Sequence, residues 1–210
     1  MGHIQAKRAE GIGNAALQAK QDRPEERKAG TMTTYKVGYI VGSLATASLN
    51  RTLAKALVRL APPDLEFAEI PIKDLPVYSY DYDSHYPAAG RALKHALGSV
   101  DAVLFVTPEY SRSIPGGLKN AIDWASRPPG QNSFAGKPSA VIGASPGQAR
   151  DSACPTEPAR RAWLPQLSAN ERAGGIRPTV TGLITEEGNV TDVRMEQFLQ
   201  KVPSGFRGIH

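Results

Sequence analysis

Short apolar runs alternate along this chain with helical stretches of about ten residues, and that alternation restricts the fold more than any other feature. Val37 to Val41 is apolar and β-rich and ends in Gly42-Ser43, which predicts a buried strand. Ser48 then precedes Leu49 to Val58. Leu49, Leu53, Ala56, Leu57 and Leu60 share one helical face there, and Ser48 stands at the N-cap. Leu65 to Ile70 alternates as a second strand. Residues 71–87 hold Pro71, Pro76, Pro87 and four tyrosines, which predicts a loop. Ala88 to Leu97 reads as a helix and Ala102 to Thr107 as a third, apolar strand. After a proline-rich turn, Gly116 to Ala125 reads as another helix. Ser139 to Ala144 then gives a fourth strand, closing in Ser145-Pro146-Gly147. Such alternation means βαβ units, an α/β fold and a parallel sheet, and right-handed crossovers leave few topologies.

Composition narrows the function classes. A chain of 210 residues suits one domain with a core that needs no disulfide, and a single cysteine, Cys154, can form none internally. No apolar run is long enough for a membrane span, and the N-terminus lacks a secretory signal, so a cytoplasmic protein is expected. The net charge of +5 raises the question of a nucleic-acid partner. Residues 1–31 and 149–181 each carry a surplus of two positive charges, which leaves +1 for the body. The basicity lies in two atypical segments, and no nucleic-acid partner is expected.

In an open parallel sheet, ligands bind outside the carboxyl ends of the strands, at the switch in strand order. Two predicted strand ends carry suggestive residues. Gly42 to Arg51 joins strand one to helix one; its small residues and the hydroxyls of Ser43, Thr46 and Ser48 suit a phosphate at a helix N-terminus. An ordinary capped βα turn would look the same. Thr107 to Trp124 is more specific: prolines make a rigid exposed loop, backbone amides face the edge of a flat heterocycle, and Tyr110 supplies a face or rim. Leu118 and Trp124 read as core. His85 and His95 read as surface residues, and no metal site is expected.

The segments G-S-L-A-T-A-S-L-N-R, T-P-E-Y-S-R-S-I-P-G-G-L-K-N-A-I-D-W-A-S-R-P and G-A-S-P-G-Q resemble the NADPH-dependent FMN reductase family, which includes bacterial chromate and quinone reductases. With their spacing they span roughly Tyr35 to Gln148. The resemblance implies a flavodoxin-like doubly wound sheet ordered 2-1-3-4-5 that binds FMN. It implies that Ser43, Ser48 and Asn50 hold the FMN phosphate, with Leu44 and Leu49 in the same loop. Pro108, Glu109, Tyr110 and Ser111 would line the isoalloxazine, with Ser145 on the far side. It further implies NADPH or NADH as co-substrate and ping-pong hydride transfer to quinones, flavins or metal oxyanions such as chromate. No catalytic side chain is expected, because the flavin carries the chemistry. A homodimer or homotetramer is implied for intact relatives. Two positions depart from the family pattern: Ala45 stands where Arg is frequent, and Ser111 where Asn is usual. An electron-transfer flavodoxin and a catalytically impaired FMN-binding protein are the competing readings.

Two segments stand apart from residues 32–210 as a flavodoxin-like domain. Residues 1–31 have few large apolar side chains and no amphipathic period, and are expected to be a disordered extension; Met32 would make a natural initiator. Residues 149–181 hold four prolines and two glycines where the fold needs a helix and a fifth strand. Read one base later, with suitable synonymous codons, the stretch from Arg150 yields an amphipathic helix and strand similar to the family's. A frameshifted segment, with the fifth strand and its helix disrupted, is therefore expected. Resequencing the gene tests this.

Overall fold

Ala102–Val106 (β3) is buried at every residue and lies in the middle of a parallel sheet. A run apolar throughout has two faces to cover, so it belongs between two helical layers. The computed structural model of the chain describes residues 33–111, 113–145, 176–178 and 182–206. β1 (Tyr35–Val41) pairs with β3 from Val37 opposite Ala102 to Val41 opposite Val106. β4 (Ser139–Ser145) flanks β3 on the other side, from Val103 opposite Ser139 to Val106 opposite Ile142. β2 (Leu65–Glu69) lies outside β1, and β5 (Ile176–Pro178) outside β4. The resulting order, 2-1-3-4-5, is the flavodoxin-like arrangement.

Side chains of β3 alternate between the two layers, as strand geometry requires. Ala102, Leu104 and Val106 face α1 (Leu49–Arg59) and α4 (Val193–Ser204), meeting Leu53, Leu57, Met195 and Leu199. Val103 and Phe105 face α2 (Ala88–Gly98) and α3 (Gly116–Ser126), meeting Leu93, Leu97, Leu118, Ile122 and Trp124. The predicted helices and four main strands lie where their periodicity put them, within a few residues at their ends. Trp124 and Leu118 are both fully buried, as read.

Three differences from the sequence reading have physical causes. The tyrosine-rich stretch 71–87 is a loop with one 3-10 turn at Tyr80–Tyr82, and it is anchored on α3. The Pro76 carbonyl accepts from Asn120 Nδ2 (2.9 Å) and Trp124 Nε1 (2.7 Å), and Tyr78, Tyr82 and Tyr86 pack around the Trp124 indole. Tyr86 donates to the Trp124 carbonyl, and its burial, aided by the charge of Asp83, pushes its pKa up to about 12. Next, the fifth strand, expected to be disrupted, is present as a three-residue stub, Gly143 opposite Ile176 to Ser145 opposite Pro178. Parallel pairing needs only free N–H and C=O groups on the β4 edge, which even an atypical sequence can meet. The rest of 149–181, with Cys154, lies outside the described residues, as do residues 1–31, Met32, Arg112 and Pro146 to Gln148.

Lastly, α4 has no counterpart in the sequence reading. Asp192 caps it by accepting from the Met195 N–H (2.7 Å), and Met195, Phe198, Leu199 and Val202 form its apolar stripe. Before it, a tight turn docks on α1. Gly188 there has a φ of +88°, and a β-carbon would stand 2.9 Å from the Ala56 backbone nitrogen. Lys55 and Arg59 donate to the Glu186 and Glu187 carbonyls (2.8 and 2.9 Å), fastening the same turn.

Candidate functional site

The chain doubles back between β1 and β3, so the loops leaving their carboxyl ends border one crest where the strand order switches. Gly42 makes their close approach possible. Its N–H donates to the Val106 carbonyl (2.9 Å), and a β-carbon there would lie 2.3 Å from Thr107 Oγ1. Thr107 is itself fully buried and donates from Oγ1 to the Pro108 carbonyl (3.0 Å). Sequence reading gave Thr107 no role, although a threonine ending an apolar run is a signal for this kind of backbone bond.

The first loop, 42–48, is rich in uncommitted donors. Among the described residues, no hydrogen bond leaves the N–H groups of Ser43 to Asn50. Ser43 and Ser48, in or beside that row, are nearly buried, at 4% and 7% exposure. Ser48 Oγ accepts from the Arg51 N–H (3.4 Å) as the N-cap of α1, and its own proton stays available to a ligand. Leu44 is half exposed and leans on the first turn of α3, where a β-carbon on Gly117 would meet its Cδ1 at 3.0 Å. Leu49 packs into the core, so its backbone alone borders the crest. Asn50, 3% exposed, spends its carboxamide on β4: Nδ2 donates to the Ala144 carbonyl (3.0 Å) and Oδ1 accepts from the Ala144 N–H (2.9 Å).

Charge at this loop comes from helix ends. Arg51 is held by Glu69 (2.8 Å), which also accepts from Tyr39 (3.3 Å). Burial, reinforced by the Glu69 charge, raises the Tyr39 pKa. The α1 N-terminus therefore carries the positive field itself. α3 adds a second such terminus, since its cap, Pro115, contributes no side-chain bond to the first-turn N–H groups.

The second loop is built as a tight reversal. Tyr110 and Ser113 bond each other at both ends, N–H to carbonyl, at 2.8 and 2.9 Å. Ser111 lies between them with a φ of +49°, a left-handed conformation that serine adopts at a cost. The usual asparagine tolerates it better, which gives that family preference a backbone cause. Pro108 is buried; Glu109 is half-buried, its Oε2 enclosed and without a bond among the described residues; Tyr110 stands 52% exposed at the rim. Ser145 ends β4 on the crest side, next to Ala144. His85 and His95 are both exposed, and among the described residues no cluster of His, Cys, Asp or Glu suits a metal.

The donors fit an FMN molecule: a row of free N–H groups with buried hydroxyls for a phosphate, and a proline-stiffened turn with an aromatic rim for a flat ring. The NADPH-dependent FMN reductase family profile matches residues 35–156. A 2-hydroxy-1,4-benzoquinone reductase of a Burkholderia species is 54% identical over 112 residues, 53% of this chain and 61% of the relative. A quinone reductase of Pseudomonas putida is 49% identical over 114 residues, 54% of this chain and 61% of the relative. The chain thus spans about three-fifths of the length of these curated relatives. Among solved structures, the flavoenzyme NAD(P)H:(acceptor) oxidoreductase FerB of Paracoccus denitrificans superposes with a TM-score of 0.66 at 38% identity, covering 82% of this chain and 95% of that one. Helices, sheet order, crest and sequence agree with one assignment, and this chain belongs to the NADPH-dependent FMN reductase family.

Proposed function

We propose that the protein binds FMN at the crest and oxidises NADPH or NADH to reduce small acceptors, quinones first among them. The observation that carries this reading is the unbroken row of unbonded N–H groups from Ser43 to Asn50, opposite a rigid turn with Tyr110 at its rim. Ser43 and Ser48, with the backbone of Leu44 and Leu49, hold the phosphate. Backbone groups of Pro108 to Ser111 hold the ring edge, and Ser145 closes the β4 side. FMN supplies hydride acceptance and donation when bound. The protein's part is orientation: stiff prolines fix the ring-side loop, and buried serines and helix dipoles favour the dianionic end.

Among the described residues, no side chain at the crest has the pairing of nucleophile and base that acyl or phosphoryl transfer requires, in keeping with a site that orients. Nicotinamide donor and acceptor use the same opening in turn, which gives parallel lines in double-reciprocal plots. Free flavin and chromate are further acceptors under this reading, and assembly as a homodimer or homotetramer belongs to it as well. The purified chain is expected to be yellow, or to become so with FMN, and to oxidise NAD(P)H in the steady state with a benzoquinone. A protein that binds FMN yet oxidises no NAD(P)H is the electron-carrier or impaired form. A colourless protein with no FMN affinity overturns the proposal.

A further inference from the structure

Along a strand of a parallel sheet, alternate residues point both N–H and C=O at the same neighbour. On β4 those facing β3 are Ala140, Ile142 and Ala144. Val103 donates to the Pro138 carbonyl (3.0 Å) and Thr107 to the Ile142 carbonyl (2.9 Å). If the ladder ran one rung further, the Ala144 N–H would reach the Thr107 carbonyl, and the Glu109 N–H the Ala144 carbonyl. Neither bond exists. Both Ala144 groups are taken by the Asn50 carboxamide, at 2.9 and 3.0 Å, in a place where Asn50 is 3% and Ala144 1% exposed.

We propose that Asn50 is a positioning residue whose side chain substitutes for the last rung between β3 and β4, releasing the Thr107 carbonyl and the Glu109 N–H to the crest as an acceptor and donor for the edge of a flat heterocycle. A carboxamide has the donor and acceptor spacing of a peptide group, so it can end a ladder without leaving a buried orphan. Among the described residues, the Glu109 N–H and the Thr107 carbonyl have no other partner. Pro108 between them brings no N–H of its own and stiffens the departure from the sheet. The same bond ties the first turn of α1 to the end of β4, so the phosphate side and the ring side of the crest move as one piece. The Asn50 side chain then acts on ligand affinity through Ala144 and the released pair, with no contact of its own to phosphate. The ring-edge part rests on the FMN reading above; the substituted rung does not.

The test compares FMN with riboflavin, which lacks the phosphate, by fluorescence titration of Asn50→Ala, Ser43→Ala and the parent full chain. Asn50→Ala is expected to lower the urea midpoint of the flavin-free protein and to weaken both flavins by the same factor, about tenfold. Ser43→Ala is expected to weaken FMN alone. Loss of FMN affinity in Asn50→Ala with riboflavin unchanged would make Asn50 a direct phosphate ligand and overturn the proposal. Amide hydrogen exchange on the parent protein decides the matter if the variant does not fold. Ala144 is expected to exchange slowly with or without flavin, and Glu109 rapidly until either flavin is added. A slowly exchanging Glu109 amide in flavin-free protein overturns the proposal. Should the parent bind no flavin, the FMN reading fails, while the urea shift and the flavin-free exchange rates still judge the rung.

Discussion

The two loops that border the crest are made in opposite ways. The loop after β1 is firmly seated: Gly42 is wedged against Thr107, Ser48 caps α1, and among the described residues its row of N–H groups lacks partners. The loop after β3 carries cost within itself, a serine at φ +49° and an enclosed carboxylate oxygen on Glu109 without a partner. The first resembles a finished mould, and the second is held in a costly shape by two prolines and the Tyr110–Ser113 bonds. A site of this kind meets one end of a ligand with free donors and the other with a backbone fixed against its own preference.

Substitutions that break the contrast should differ in size and sign. Gly42→Ala has the largest expected effect. Its β-carbon cannot coexist with Thr107 as placed, so the two loops must part, at a cost of about 2–3 kcal/mol, read as a lowered urea midpoint. An unchanged midpoint would show that the loops are not in register through this contact. Ser48→Ala removes the α1 cap and should cost about 1 kcal/mol, with FMN affinity also reduced. Ser111→Asn should act in the opposite direction, stabilising the chain by roughly 0.5 kcal/mol because asparagine accepts the left-handed region more readily. A destabilised Ser111→Asn protein would mean the serine hydroxyl matters more than the backbone.

The smallest effect expected of these loop variants is on the Tyr86 titration, because that residue belongs to neither loop. Its folded pKa of about 12 lies above the usual value of 10.0, so the stability that Tyr86 contributes is fully present below pH 10 and is lost as pH rises from there towards 12. Absorbance titration should find this late-ionising tyrosine in the parent and in all three loop variants. Its disappearance in Tyr86→Phe assigns it.

The alternation of apolar runs was enough to place β1 to β4 and α1 to α3, because the helices bury one periodic face each and β3 is apolar on both. The two crest loops were legible for the same reason: glycine, proline and hydroxyl residues gathered at strand ends have few other uses. What sequence did not disclose depended on contacts across long separations. The bonds from Asn50 to Ala144 join residues 94 apart, and nothing local marks an asparagine in a first helical turn as a substitute for backbone. Three of the four tyrosines of 71–87, Tyr78, Tyr82 and Tyr86, gave no sign of gathering around Trp124, whose indole is 38 to 46 residues away in sequence. α4 has an amphipathic stripe in Met195, Leu199 and Val202, but a Pro203 inside its last turn breaks the helical signal.

The covering of β3 also sets an order of events during synthesis. One side of the sheet has all its partners once the ribosome has passed Val141, because α2, α3 and Phe134 precede that point. The other side needs Met195, Leu199 and Phe206 to seal Leu104 and Ile142. A nascent chain therefore has only α1 to cover that side of its central strand for the time taken to translate some sixty further residues, about 3–12 seconds. In that interval an apolar surface stays open beside α1, and α4 is what closes it.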